Sequence, residues 1–95
     1  MAGIRRLVLD VLKPHEPLNT FFAIKLSDLK NVTAVNISIQ EIDQATESVK
    51  ITIVGENLNY EEIRQTIEDL GGVIHSIDEV VAGKVIIDAV RTEQD

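Results

Sequence analysis

The side chains of this sequence that could do chemistry are a small set of carboxylates and two histidines. Asp10 lies in an apolar stretch, where a carboxylate is costly to bury unless a cation pairs with it or a metal binds it. His75 is followed closely by Asp78 and Glu79, and imidazole combined with carboxylates is typical of metal sites and acid–base catalysts. The candidate ligand-binding residues are therefore Asp10, His15 and His75, and the candidate metal ligands are Asp10, Asp78 and Glu79.

A structural role is the competing interpretation of Asp10. Its carboxylate could pair with a cation, and the candidate partners are Lys13, His15, Lys50 or a residue of the last strand. The alternative is a ligand or divalent-cation role completed by another subunit. Carboxylate oxygens suit calcium or magnesium, and no other cofactor is expected.

The spacing around His75 does not predict a compact catalytic group. Adjacent residues of a regular strand point to opposite faces, so at most one of Asp78 and Glu79 shares a face with His75. Glu79 points to the same face as His75, but it lies four residues further on, which is roughly 13 Å from His75 at about 3.3 Å per residue. We therefore interpret His75 first as a surface or structural residue, and we identify no catalytic residues.

Composition limits the class of protein. The 95 residues suffice for one domain, and 44% of them are hydrophobic. Nine basic against sixteen acidic residues give a net charge of −7, which argues against a nucleic-acid partner. Cysteine is absent, so disulfides and thiolate metal sites are excluded. Apolar runs are far shorter than a membrane span of about 20 residues, and we expect no membrane contact, no signal peptide and a cytoplasmic location.

The first half of the chain reads as strand, helix, strand. Residues 4–12 form a strand that is apolar on both faces, as in a central strand. Residues 17–30 form a helix, with Pro17 in its first turn, and residues 32–39 begin a half-buried strand. The predicted buried stripe of the helix comprises Leu18, Phe21, Phe22, Leu26 and Leu29.

The second half repeats this order. A polar turn over residues 43–48 leads into a strand over 49–54, and the link is too short for a parallel crossover, which predicts a hairpin. Asn59 is a good N-cap for the second helix, which ends at Gly71 and Gly72. Residues 73–81 form the last strand. Residues 84–91 fit a short helix slightly better than a strand, and residues 92–95 are expected to fray.

The order β-α-β-β-α-β predicts an α+β ferredoxin-like sandwich, occupying residues 1–91 as a single domain. Its four-stranded antiparallel sheet has the strand order 4-1-3-2, and right-handed crossovers put both helices on one face. The other, open face receives Asp10 from the first strand and Lys50 from the third. The fourth strand has two alternative outward sets, residues 74, 76, 78 and 80 or residues 73, 75, 77, 79 and 81.

Three blocks of the sequence resemble one family. They are IRRLVLDVLKP at 4–14, VNIS at 35–38 and IHSIDEVV at 74–81. They resemble domain of unknown function 211, an uncharacterised, mainly archaeal family, over nearly the whole chain. The resemblance implies a ferredoxin-like fold and a homo-oligomeric, ring-like assembly, and it implies no activity and no catalytic residues.

These observations favour a non-enzymatic, ring-forming homo-oligomer with a binding or regulatory role. One alternative is a small-molecule-sensing regulatory domain, with its ligand at a subunit interface around residues 15–20. The other is a divalent-cation-binding protein that uses Asp10 or one of two acidic groups, Glu41, Asp43 and Glu47 or Glu56, Glu61 and Glu62. An enzyme would require subunits to pool residues across an interface.

Overall fold

Four strands form one antiparallel sheet in the computed structural model, which describes residues 3–87. In chain order the elements are β1 (Gly3–Pro14), α1 (Asn19–Ser27), β2 (Val32–Ile42), β3 (Thr46–Gly55), α2 (Tyr60–Asp69) and β4 (Val73–Gly83). The strand order is β2-β3-β1-β4, which confirms the predicted order and the ferredoxin-like class.

The core lies between the sheet and the two helices. Leu7, Leu9 and Val11 alternate along β1 and are buried, as the period of two predicts. They face Val49, Ile51 and Ile53 of β3 in register. The helices complete the core with Phe22, Leu26, Ile63 and Ile67. Leu58, which lies just before α2, belongs to the same core.

The second helix begins and ends where its sequence predicts. The Asn59 side-chain oxygen accepts a hydrogen bond from the Glu62 backbone amide at 3.1 Å, which caps the helix. Gly71 follows the helix with a φ of +93°, a left-handed conformation that favours glycine. Local signals therefore determine both ends of α2.

The first helix departs from the prediction. It covers Asn19–Ser27 rather than residues 17–30, and only Phe22 and Leu26 are buried on it. Leu18 and Phe21, which the periodicity placed in the core, are exposed together with Ile24. A helix of nine residues presents one narrow stripe to the sheet, so the rest of its apolar surface faces outward.

The hairpin between β2 and β3 is confirmed, but its turn is shorter than predicted. The strands extend to Ile42 and from Thr46, so residues 43–45 replace the predicted turn of 43–48. The Asp43 amide donates to the Thr46 carbonyl at 2.8 Å and closes the turn. Glu47 therefore belongs to a strand.

Residues 84–87 form neither helix nor strand. The remainder of the ambiguous 84–91 segment and the predicted frayed tail, 92–95, lie outside the described residues. Among residues 3–87, no helix is both long and apolar enough to cross a membrane.

Truncation of Ile51, the fully buried centre of β3, tests the placement of the core. We expect Ile51→Ala to lower the free energy of unfolding by about 2–5 kcal/mol, because the lost side chain leaves a cavity. Urea denaturation followed by circular dichroism measures the change. The control is Ile87→Ala at a position that is 60% exposed, with an expected change within about 0.5 kcal/mol. Equal losses in the two variants would contradict this core.

Candidate functional site

A polar row crosses the open face of the sheet through Asp10. Asp10 lies opposite Lys50 of β3 on one side and opposite Ser76 of β4 on the other. Lys50 in turn lies opposite Ser38 of β2. Directly opposed residues of antiparallel strands share a face, so these four side chains stand in one line on the face without helices.

Two bulges interrupt β4 beside this row. Val8 lies opposite Glu79 and Leu9 opposite Ile77, so Asp78 is an extra residue between them. In the same way, His75 is extra between Ser76 and Ile74, which lie opposite Asp10 and Val11. Each bulge shifts the alternation by one residue. The β4 residues opposite the outward residues of β1 are therefore Val73, Ser76, Glu79 and Val81, which matches neither predicted set.

The bulges bring His75 and Asp78 to the same face as Asp10. The Ser76 hydroxyl donates to the Asp78 carboxylate at 2.7 Å, beside Asp10. His75 borders an adjoining hollow of about 250 Å³, next to Asp10. Glu79 lies on this face as well, opposite Val8. The expectation that Asp78 and Glu79 point to opposite faces was wrong, because it assumed a regular strand.

A third bulge lies on the other side of the row, in β2. Ile39 lies opposite Val49 and Glu41 opposite Ser48, which leaves Gln40 as the extra residue. Gln40 and Glu41 both border the same hollow as Asp10. We call this hollow the Asp10 depression; it has a volume of about 330 Å³ and is lined by Asp10, Gln40, Glu41, Ser48, Lys50 and Asp78.

The lining of the Asp10 depression is polar, and its charged groups are mostly acidic. Three carboxylates and one ammonium line it, together with an amide and a hydroxyl. Carboxylate, amide and hydroxyl oxygens are ligands that calcium and magnesium prefer. Within residues 3–87, however, no three histidine or acidic side chains come close enough together to hold a metal ion. A cation here would need ligands from water or from a second copy of the chain.

Glu79 lies apart from the depression. Its carboxylate is 3.9 Å from Nε of Arg6. The structure thus brings together Asp10 and Asp78 of the candidate metal ligands, and it places Glu79 next to a cation.

A second polar group lies on the opposite side of the sheet. Lys13 faces Glu47 across β1 and β3, and its ammonium donates to the Glu47 carboxylate and to the Pro14 carbonyl, both at 2.9 Å. The Lys13 ammonium also lies 4.9 Å from the centre of the Phe22 ring. The Lys13 side chain is fully buried (0% exposed), and that of Glu47 is nearly so.

His15 completes this group, which we call the Lys13 cluster (Lys13, His15 and Glu47). Its Nδ1 lies 3.1 Å from the second Glu47 oxygen, and its Nε2 lies 3.0 and 3.1 Å from the carbonyls of Asp43 and Gln44. The hydrogen bond to Glu47 and then that to the Gln44 carbonyl raise the pKa of His15. The hydrogen bonds from Lys13 and then from His15 lower the pKa of Glu47.

The sequence alone offered four candidate partners of Asp10, namely Lys13, His15, Lys50 and a residue of the last strand, and it offered His15 as a candidate ligand-binding residue. The structure pairs Lys13 and His15 with Glu47 and leaves Asp10 between Lys50 and Ser76. Glu47 was missed because it was placed in the turn, although its spacing to Val49 and Ile51 continues the inward alternation of β3.

Comparisons with known proteins give a consistent result. The model of the DUF211 family, described as an uncharacterised ArCR family, matches residues 5–95. The chain is also similar to the uncharacterised protein MJ0319 of Methanocaldococcus jannaschii. The two are 63% identical over 95 residues, which cover 100% of this chain and 98% of that protein.

Removal of the Glu47 carboxylate tests the Lys13 cluster. We expect Glu47→Ala to lower the free energy of unfolding by about 3 kcal/mol, because it leaves the buried Lys13 ammonium unpaired. Urea denaturation at pH 7 measures this, with Glu41→Ala at an exposed strand position as the control. The double variant Lys13→Met/Glu47→Leu should recover most of the loss, since it removes both charges. A double variant as unstable as Glu47→Ala would show that packing, not charge, dominates.

Proposed function

The chain belongs to the DUF211 family, as its sequence resemblance predicted, and on that premise we propose that it is a ring-forming homo-oligomer that binds its ligand on the open sheet face. The observation that carries the assembly is the exposure of large apolar side chains at both lateral margins of the domain. Apolar surface of this kind marks sites of protein–protein contact.

The first margin lies along the edge strand β2 and the outward side of α1. Ile39 and Ile42 are exposed on the helix side of β2, Ile42 by 63%. The exposed apolar residues of α1 are Leu18, at its N-cap, Phe21 and Ile24. Together these five side chains form what we call the β2 margin.

The second margin lies along the opposite edge strand, β4. Ile77 and Val80 face the helix side, opposite Leu9 and Leu7, and are exposed by 45% and 52%. Val73, at the start of the same strand, is exposed on the open face, opposite Leu12. We call Val73, Ile77 and Val80 the β4 margin.

The two margins differ in their residues, and the β2 margin combines a strand with a helix whereas the β4 margin is a strand alone, which favours a head-to-tail arrangement. A contact between the β2 margin of one copy and the β4 margin of the next is heterologous. Such contacts close into a ring when the rotation between copies divides a full turn. This geometry supports a ring over a two-fold dimer.

The Asp10 depression supports binding as the activity of each subunit. Its carboxylates, amide and ammonium are groups that hold a small polar molecule or a cation on a surface. The regulatory alternative, with a ligand around residues 15–20, is less favoured, because His15 is engaged with Glu47 and the β2–β3 turn.

Divalent-cation binding is the second candidate function. It is favoured by the bulge that brings Asp78 to the face of Asp10 and by the oxygen-rich lining of the depression. Calcium or magnesium would take two carboxylates from one subunit, and a neighbouring copy or water would supply further oxygens.

Charge placed in each margin tests the head-to-tail ring. We expect Ile42→Asp and Val80→Asp each to dissociate the assembly, because each buries a carboxylate in an apolar interface. Native mass spectrometry and light scattering measure the subunit number. An equimolar mixture of the two variants should form dimers, since each retains the margin that the other has lost.

The control for this experiment is Gln65→Asp, which adds a charge to the exposed side of α2. It should leave the assembly intact. A wild-type protein that is monomeric at micromolar concentration would refute the proposal. A two-fold contact through one margin would leave one of the two margin variants fully assembled.

Calorimetric titration with calcium and with magnesium tests the second candidate. If Asp10 is a ligand, Asp10→Asn should weaken binding by at least about tenfold, a loss that corresponds to roughly 1.4 kcal/mol. Asp28→Asn makes the same charge change at an exposed position that does not line the Asp10 depression, and it should leave the affinity unchanged. No binding heat with the wild-type protein, or an equal loss in both variants, would exclude a cation site at Asp10.

A further inference from the structure

We propose that His15 is a proton-operated latch that holds the β2–β3 turn, residues 43–45, against the connection between β1 and α1. The imidazole stands between two parts of the chain that are distant in sequence. Its Nδ1 contacts Glu47 of β3, and its Nε2 contacts the carbonyls of Asp43 and Gln44 in the turn.

The geometry requires a proton on each ring nitrogen. A carboxylate oxygen and two carbonyl oxygens are acceptors only, so each nitrogen must donate to satisfy its contact. Neutral imidazole carries a single N–H. The anionic Glu47 carboxylate holds the Nδ1 proton more strongly than the neutral turn carbonyls hold the Nε2 proton. Loss of one proton therefore leaves the Nε2 lone pair facing the carbonyls of Asp43 and Gln44, and this end of the latch becomes repulsive.

The charged groups around His15 restrict the effect to the turn. Glu47 of β3 contacts the imidazole through one carboxylate oxygen, and Lys13 of β1 contacts the other oxygen of the same carboxylate. Because Lys13 also bonds to Glu47, their ion pair persists when His15 loses its proton. The latch can therefore open while the buried pair and the core beneath it remain in place.

The pH range of the closed latch follows from the directions of the two pKa shifts. The pKa of His15 is raised above 6.5, so its contribution is complete below that value and is lost as pH rises through the higher pKa of the folded protein. The pKa of Glu47 is lowered from 4.5, so its contribution is present above that value and is lost only in acid. The latch is closed between these limits and opens on the alkaline side.

Opening the latch changes the edge of the sheet. The turn directly follows Ile42, the last residue of β2, and residues 43–45 are exposed. His15 contacts this turn through two interactions, from its Nε2 to the carbonyls of Asp43 and Gln44. Without these contacts the tip of the hairpin gains freedom, while its strands stay paired.

Backbone NMR relaxation between pH 5 and pH 9 tests the latch, with histidine ring shifts recording the protonation state. We expect order parameters at residues 43–45 to fall from about 0.85 to below about 0.6 as His15 deprotonates. In His15→Gln they should be low throughout the range, with no pH dependence. His75→Gln, at the exposed second histidine, should match the wild type.

Glu47→Gln provides a second variant, in which the side chain keeps its shape but loses the carboxylate. We expect the titration midpoint of His15 to fall in this variant, because its strongest hydrogen-bond partner is weakened. The proposal would be overturned if the order parameters of residues 43–45 were the same above and below the titration midpoint of His15. A His15 midpoint at or below 6.5 in the wild type would overturn it as well.

Discussion

The central strand β1 imposes the constraint on which the rest of the structure depends. It is hydrogen-bonded on both sides, so its side chains point either to the helices or to the open face. Leu9 and Val11 take the helix side and lie in the core, which leaves Asp10, between them, on the open face. Register then places Lys50 and Ser76 beside Asp10. The alternation that builds the core therefore also determines where the polar depression lies.

The edge strands add polar groups to this position by breaking the alternation. Extra residues at His75 and Asp78 in β4, and at Gln40 in β2, lie close to the row through Asp10. A bulge re-aims a side chain at small cost at an edge, where one side of the strand is not hydrogen-bonded to the sheet. Of the five register shifts in the sheet of residues 3–87, three therefore lie around this one carboxylate. The same edge strands carry the exposed apolar residues of the β2 and β4 margins.

The helix side carries one exception to its apolar character. Lys13 continues the inward alternation of β1 and is buried, with Glu47 as its partner on β3. A buried ion pair contributes little net stability, but loss of one partner is costly, so the pair favours one register of the hairpin over others. His15 extends this pair to the β2–β3 turn and links it to the protonation of an imidazole. The end of the sheet near α1 thus combines a buried ion pair, which is lost only in acid, with a histidine contact that is lost on the alkaline side.

The sequence by itself determined the class of fold, the strand order and both ends of α2. The elements and their ends follow from local periodicity and from capping residues such as Asn59 and Gly71, and right-handed crossovers then restrict the strand order. It also identified Asp10 as an outward carboxylate of a central strand. Only the tertiary structure decided the face of Asp78 and the partner of His15. Bulges arise from the fit between neighbouring strands, and partners across the sheet depend on a register that one strand's own residues do not encode. The outward side of α1 shows the same limit, since helical periodicity reveals which residues are apolar but not how much of the helix the sheet covers.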